Sequence, residues 1–244
     1  VAQIIPKLPL MNIILRQTNL TDRLSFIFLL LVYLISIYLD QTDRLYFDTK
    51  FAQEDGFIEN LTALGLFLIP CILIYRLIKL WKQKKISWKI GLLAMSMVFL
   101  FGAGEEISWG QRLLGIEPGE FFTENNAQKE TNFHNLVVGE TKVNKLIFSK
   151  LMFIALFIYF VIFPYLYSKK KMVRSLSTQF AIPVAKIPHI IFFIFYTILV
   201  LFLGSSRNWE VLELMFAIIF FLIFQKPQNY REIYQSRQLG TQRK

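Results

Sequence analysis

Six apolar runs, at residues 24–40, 56–80, 86–104, 146–167, 184–204 and 208–225, constrain this chain more than any other feature of its sequence. A helix needs roughly 20 apolar residues to cross a hydrocarbon layer of about 30 Å, and none of the runs shows the period-2 alternation of a barrel strand. The expectation is an all-α, polytopic transmembrane bundle of about six helices, with residues 1–244 forming one integral membrane domain. Composition agrees, because 55% hydrophobic and 18% charged residues are too apolar for a soluble domain of 244 residues unless most of its surface meets lipid. Asp40 and Gln41 follow the first run without a small-residue cleavage site, so that run reads as a retained helix and not as a removed signal peptide.

The formal charge of +10 would point to nucleic acid in a soluble protein. Here the cations sit between apolar runs and read as topology signals, which sets nucleic acid aside as a partner. Lys7, Arg16 and Arg23 precede the first run, and Arg76, Lys79, Lys82, Lys84, Lys85 and Lys89 surround the turn between the second and third. Lys169, Lys170, Lys171, Arg174 and Lys186 separate the fourth and fifth, and Lys226, Arg231, Arg237, Arg243 and Lys244 follow the sixth. The positive-inside bias then places both termini and these turns in the cytoplasm. The other connections, 41–55, 105–145 and the turn at 205–207, are acidic or nearly neutral and face the opposite side. Trp81 and Trp88 at one level and Trp109 and Trp209 at the other fit the headgroup layers. The single cysteine, Cys71, lies within an apolar run and offers neither an internal disulfide nor a zinc cluster.

Ionisable groups at membrane depth are costly and usually face the bundle interior or a wet cavity. Several lie near the acidic ends of the runs. Asp55 and Glu59 share one helical face on the second, with Asn60 and Thr62 deeper. After Gly102–Ala103–Gly104 on the third come Glu105, Glu106, Ser108, Trp109, Gln111 and Arg112. On a continuing helix, Glu105, Ser108, Trp109 and Arg112 would share a side. In the long connection Glu130 and His134 are four apart, beside Asn132 and Asn135, and Glu210 and Glu213 stand one turn apart on the sixth run. Their common level predicts one shared site.

Two chemistries fit such a site. Carboxylates with an imidazole can hold a divalent metal and make its bound water nucleophilic, with Glu106, Glu130, His134 and Glu210 as candidate ligands. Crowded carboxylates can instead share protons and supply an acid and a base without metal, through Glu59, Glu105, Glu106 and Glu213, while Arg112 holds a phosphate or carboxylate head group. Structural roles stand beside these readings. Glu54, Asp55, Glu117, Glu120, Glu124 and Glu140 read as solvated surface, Glu105 with Arg112 as a packing ion pair, and Glu210 as a partner of a helix N-terminus. His189, beside Pro188 at the opposite end of the fifth run, reads as lying on the wrong side of the membrane to join the site. The aromatic runs 192–196 and 216–224 read as packing or lipid-facing residues.

The stretch Gly104-Glu-Glu-Ile-Ser-Trp-Gly-Gln-Arg112, followed by Asn126, Gln128, Glu130, Asn132, His134 and Asn135, resembles a motif of uncharacterised bacterial polytopic membrane proteins. That resemblance implies the inner membrane of a bacterium. More loosely, Glu59–Asn60–Leu61–Thr62 with a glycine-bearing polar motif on the next run looks like the arrangement in alkaline ceramidase-type membrane hydrolases, which use zinc. The paired histidines that family carries on a late helix are replaced here by Glu210 and Glu213. The leading expectation is a membrane-embedded enzyme, in one form a metal-dependent hydrolase, acting on a lipid or lipid-linked substrate at the non-cytoplasmic face. The alternatives are a non-catalytic integral subunit that docks other membrane proteins through 116–145, and a cation pathway.

Overall fold

A computed structural model describes residues 10–53, 56–133, 135–138, 141–142 and 151–235. Its main helices are α1 (Leu10–Gln17), α2 (Leu20–Thr42), α3 (Phe57–Leu80), α4 (Ile86–Glu106), α5 (Met152–Lys169), α6 (Lys171–Gln179), α7 (Ile187–Val200), α8 (Asn208–Gln225) and α9 (Tyr230–Tyr234). Among the described residues, α2, α3, α4, α5 and α8 are long and apolar enough to cross a membrane, and α7 is a shorter apolar helix of 14 residues. The all-α polytopic bundle expected from the apolar runs is the architecture observed. Strand structure among the described residues is confined to a short antiparallel pairing of Val137–Val138 with Thr141–Lys142 and a bridge between Asn126 and Leu136.

Local signals account for the boundaries. Asn19 and Asp22 form a reciprocal capping box at the start of α2. Pro188 sits in the first turn of α7, where a missing N–H costs nothing. In α5 a π-helical turn at Ile158–Ile162 precedes Pro164, a residue that cannot donate to the helical ladder.

The most enclosed spanning helix is α8, which buries Val211, Leu212, Leu214, Met215, Ala217, Ile219, Leu222, Ile223 and Phe224. It lies against α3, where Gly65 lets the helices approach so closely that an added Cβ would stand 3.1 Å from the Ala217 Cβ. Its other side joins a core with Leu29 and Val32 of α2 and Phe192, Tyr196 and Val200 of α7. Tyr196 donates to the Leu29 carbonyl, so this polar tip is satisfied in the apolar interior. The aromatic run of α7 is therefore largely packing.

The basic ends of the helices are tied together by side chains. Arg76 donates from Nη1 to Phe224 O at 2.5 Å and from Nη2 to Gln225 O at 2.6 Å, capping the last carbonyls of α8, and its guanidinium lies 3.9 Å over the Tyr234 ring. Trp88, read from sequence as an interface residue, is instead buried and donates from Nε1 to Ile233 O. Asn229 accepts from Val184 N and donates to Ser177 Oγ, so one amide joins the α6–α7 connection to the chain after α8. At the acidic ends, Asp40 accepts from Arg44 and from Gly204 N, and Ser205 donates to Asp48. These bonds join the 41–53 connection to the turn before α8.

Candidate functional site

The third apolar run extends two residues past the expected boundary and then stops. After Glu106, Ile107 leaves helical geometry, and Ser108 (φ 46°), Trp109 (φ 56°) and Gly110 (φ 74°) follow in left-handed backbone. A non-glycine residue there costs about 1–2 kcal/mol, so two in succession persist only where tertiary bonds hold them. The helical face expected to hold Glu105, Ser108, Trp109 and Arg112 therefore does not exist. The backbone instead folds back, and Trp109 donates from Nε1 to Glu105 Oε1 at 2.9 Å. Gly104 makes this possible, since a Cβ at that position would meet the Trp109 ring at 2.8–2.9 Å.

The same turn receives the segment 126–135. Phe133 N donates to the second Glu105 oxygen at 2.6 Å, Ser108 Oγ donates to Glu130 Oε2 at 2.5 Å, and Asn132 Nδ2 donates to Ser108 Oγ at 2.9 Å. Gln111 Oε1 accepts from Thr131 N, while Asn126 accepts from the backbone of Gln128 and Glu130 and donates to Asn132. Glu105, Ser108, Gln111, Asn126, Glu130 and Asn132 are all buried. The polar residues of the motif thus form one hydrogen-bonded clamp that fastens the long connection over the end of α4. Glu130 lies in a bend and not on a helix. His134 lies outside the described residues, as does the side chain of Arg112, whose backbone falls in the short helix Gln111–Leu114.

Glu106, adjacent in sequence to Glu105, belongs to a different environment. It is half-buried at the last residue of α4. Glu59 comes from α3, Glu106 from α4 and Glu210 with Glu213 from α8, and α3 packs against both of the other helices. Glu59 is buried, Glu210 and Glu213 are half-buried, and Arg207 Nη1 lies 3.9 Å from Glu210 Oε1. Among the described residues no group of three or more His, Cys, Asp or Glu side chains is arranged to hold a metal ion. The ligand set of Glu106, Glu130, His134 and Glu210 depends on a histidine outside the described residues.

A second polar centre went unrecognised in the sequence. At the basic end, Asp22 of α2 accepts from Lys186 Nζ at 2.8 Å through Oδ2, and its Oδ1 lies 3.0 Å from His189 Nε2. All three side chains are buried. Lys186, read as a topology cation, is in fact spent on an internal ion pair, and His189 is a core histidine. Arg76 is likewise a buried structural cation. The available signal was the i to i+3 spacing of Lys186 and His189 across a helix start, but nothing in the sequence joined them to Asp22, which is 164 residues from Lys186.

No family model, curated protein or solved structure matches this chain.

Proposed function

We propose that this chain is a membrane-embedded enzyme acting on a lipid or lipid-linked substrate at its acidic face, with Glu106 and Glu213 as the proton-transfer pair. The observation that carries this reading is that α3, α4 and α8, packed together, each present a buried or half-buried glutamate at the same end: Glu59, Glu106, Glu210 and Glu213. Side chains of one charge sign are not brought together by packing alone, and in a poorly solvated setting such carboxylates share protons. A protonated member can donate to a leaving-group oxygen while an ionised member takes a proton from an attacking water, which is hydrolytic acid–base chemistry. Glu59 and Glu210 bias the pair, and the clamp built on Glu105 holds segment 126–135 beside it. The lysine and arginine asymmetry supports placing this face outside the cytoplasm, and the motif resemblance supports a bacterial inner membrane.

The test is reconstitution of the purified chain in liposomes of mixed lipids, with products read by mass spectrometry. Single Glu106→Gln and Glu213→Gln variants are expected to lower turnover by about 10²–10⁴-fold. Turnover unchanged in both would remove the assignment. A second reading, a subunit that docks partners through the long connection, is favoured by the exposed side chains of Leu114, Ile116 and Phe121. Reproducible co-purification of one partner, abolished by Phe121→Ser, together with no turnover, would put that reading ahead.

A further inference from the structure

On α4, Phe101 and Glu105 stand one turn apart and share a face. Glu105 accepts from the Trp109 indole and from Phe133 N, and this anchoring sets both rings around Phe101. Trp109 meets the Phe101 ring edge-on at 5.6 Å between centroids, and Phe133 stacks on it at 6.3 Å. Phe122 continues the cluster, 5.6 Å from Phe133 and 5.4 Å from Phe121. Phe101 lies five residues before Glu106, the last residue of α4, and so about 7.5 Å deeper along the axis. The long connection therefore turns back down the flank of a spanning helix and does not rise away from it.

These rings touch one another yet stay open on their outer side, with Phe101 42%, Trp109 47%, Phe133 46% and Phe121 55% exposed. Phe101 is an exposed side chain of a helix long and apolar enough to cross a membrane, so whatever covers it also meets the rings set against it. The polar atoms that would oppose contact with lipid are already bonded, since the Trp109 and Phe133 N–H groups both end on Glu105. In the short helix Glu120–Asn125, the exposed Glu120 and Glu124 share a face one turn apart, while Phe122 turns from it toward Phe133. That helix thus has a charged side and an aromatic side. The exposed Glu117, Glu120 and Glu124 outnumber the exposed Lys129, so attraction to anionic head groups does not hold this segment down. Apolar burial does.

We propose that residues 109–133 form an interfacial element of the bilayer that the chain itself spans. Trp109, Phe121 and Phe133 insert among the head groups and upper acyl chains beside α4, while Glu120 and Glu124 stay in water. The partner is a lipid surface, with no requirement for anionic head groups. The inference stands independently of the enzymatic reading, and it assigns to lipid the rings that the docking reading would give to a protein.

Spin labelling of the full chain tests it. In a Cys71→Ala background, Phe121→Cys and Glu120→Cys are each labelled with a nitroxide and reconstituted in phosphatidylcholine liposomes. All three replaced side chains are exposed, so the fold is retained, and monodisperse elution in detergent checks this. Collisions with oxygen, which concentrates in hydrocarbon, and with a water-soluble nickel chelate then report what surrounds each label. The ratio of oxygen to nickel collisions is expected to be about fivefold higher at 121 than at 120, with the label at 121 about 5–10 Å into the boundary between head groups and acyl chains. Equal nickel access at both positions would overturn the proposal in favour of an aqueous loop. Poor access of both reagents to 121 would overturn it in favour of a protein occupant, in this preparation a second copy of the chain. Insertion that requires added phosphatidylglycerol would also overturn it, since the contact would then be electrostatic.

Discussion

The indole N–H of Trp109 donates to Glu105 Oε1 at 2.9 Å, although the two residues are separated by the break that ends α4. Glu105 also receives Phe133 N, so one buried carboxylate secures both the left-handed turn and the connection that folds over it. Trp109→Phe removes one donor and leaves a buried carboxyl oxygen short of a partner, a loss of about 1–3 kcal/mol. The variant should unfold at lower denaturant in detergent, and protease should cut the 126–135 segment sooner. Unchanged stability and cleavage would show that the turn is held by other bonds.

Gly104→Ala probes the same turn from the backbone. Its Cβ would press on the Trp109 ring, while Gly102→Ala would meet only the Leu66 Cδ1 at an ordinary 3.6 Å. The first should destabilise by about 1–3 kcal/mol, as overpacked sites do, and the second should be nearly neutral. Thermal unfolding of the two purified variants in parallel separates these outcomes.

At the basic end, Asp22 holds Lys186 and His189 out of contact with water. Asp22→Ala strands a buried ammonium and should cost about 3–5 kcal/mol. The double variant Asp22→Ala, Lys186→Met removes both charges and should recover much of that loss. A double variant as unstable as the single one would mean that the triad does more than neutralise a buried cation.

Gly91 faces the backbone of Phe180, and an added Cβ would overlap the Phe180 carbonyl oxygen. Because the obstacle is backbone and not a mobile side chain, Gly91→Ala must displace the α6–α7 connection from α4. The expected result is a sharp fall in monodisperse protein after detergent extraction. Normal yield and melting temperature would contradict this contact.

Arg76→Lys tests whether charge alone suffices at the end of α8. Lysine cannot reach two carbonyls as a planar fork or stack on Tyr234 in the same way. A loss of about 1–3 kcal/mol is expected in equilibrium unfolding, accompanied by faster hydrogen exchange in α9.

How much of this was legible in the sequence can be followed at particular residues. The helix limits at 56–80, 86–104 and 208–225 were readable within a residue or two, because apolar length and capping are local properties that any bundle of these segments must respect. The placement of Glu59, Glu106, Glu210 and Glu213 at or near helix ends was readable for the same reason. The separation of Glu105 from Glu106 was not. It depends on a turn with two non-glycine residues in left-handed backbone, a conformation that local preference opposes and that only bonds from residues 126–135 sustain. The fates of Asp22, Lys186 and Arg76 were equally hidden, because a cation near a membrane surface reads the same whether it meets water or a carboxylate far away in the chain. Hydrophobic length and charge asymmetry, both one-dimensional, determined that the chain is a membrane bundle with chemically unlike faces. Which polar groups are spent on holding that bundle together, and which are not, was decided by three-dimensional packing, because a buried hydrogen bond requires a partner that sequence distance does not reveal.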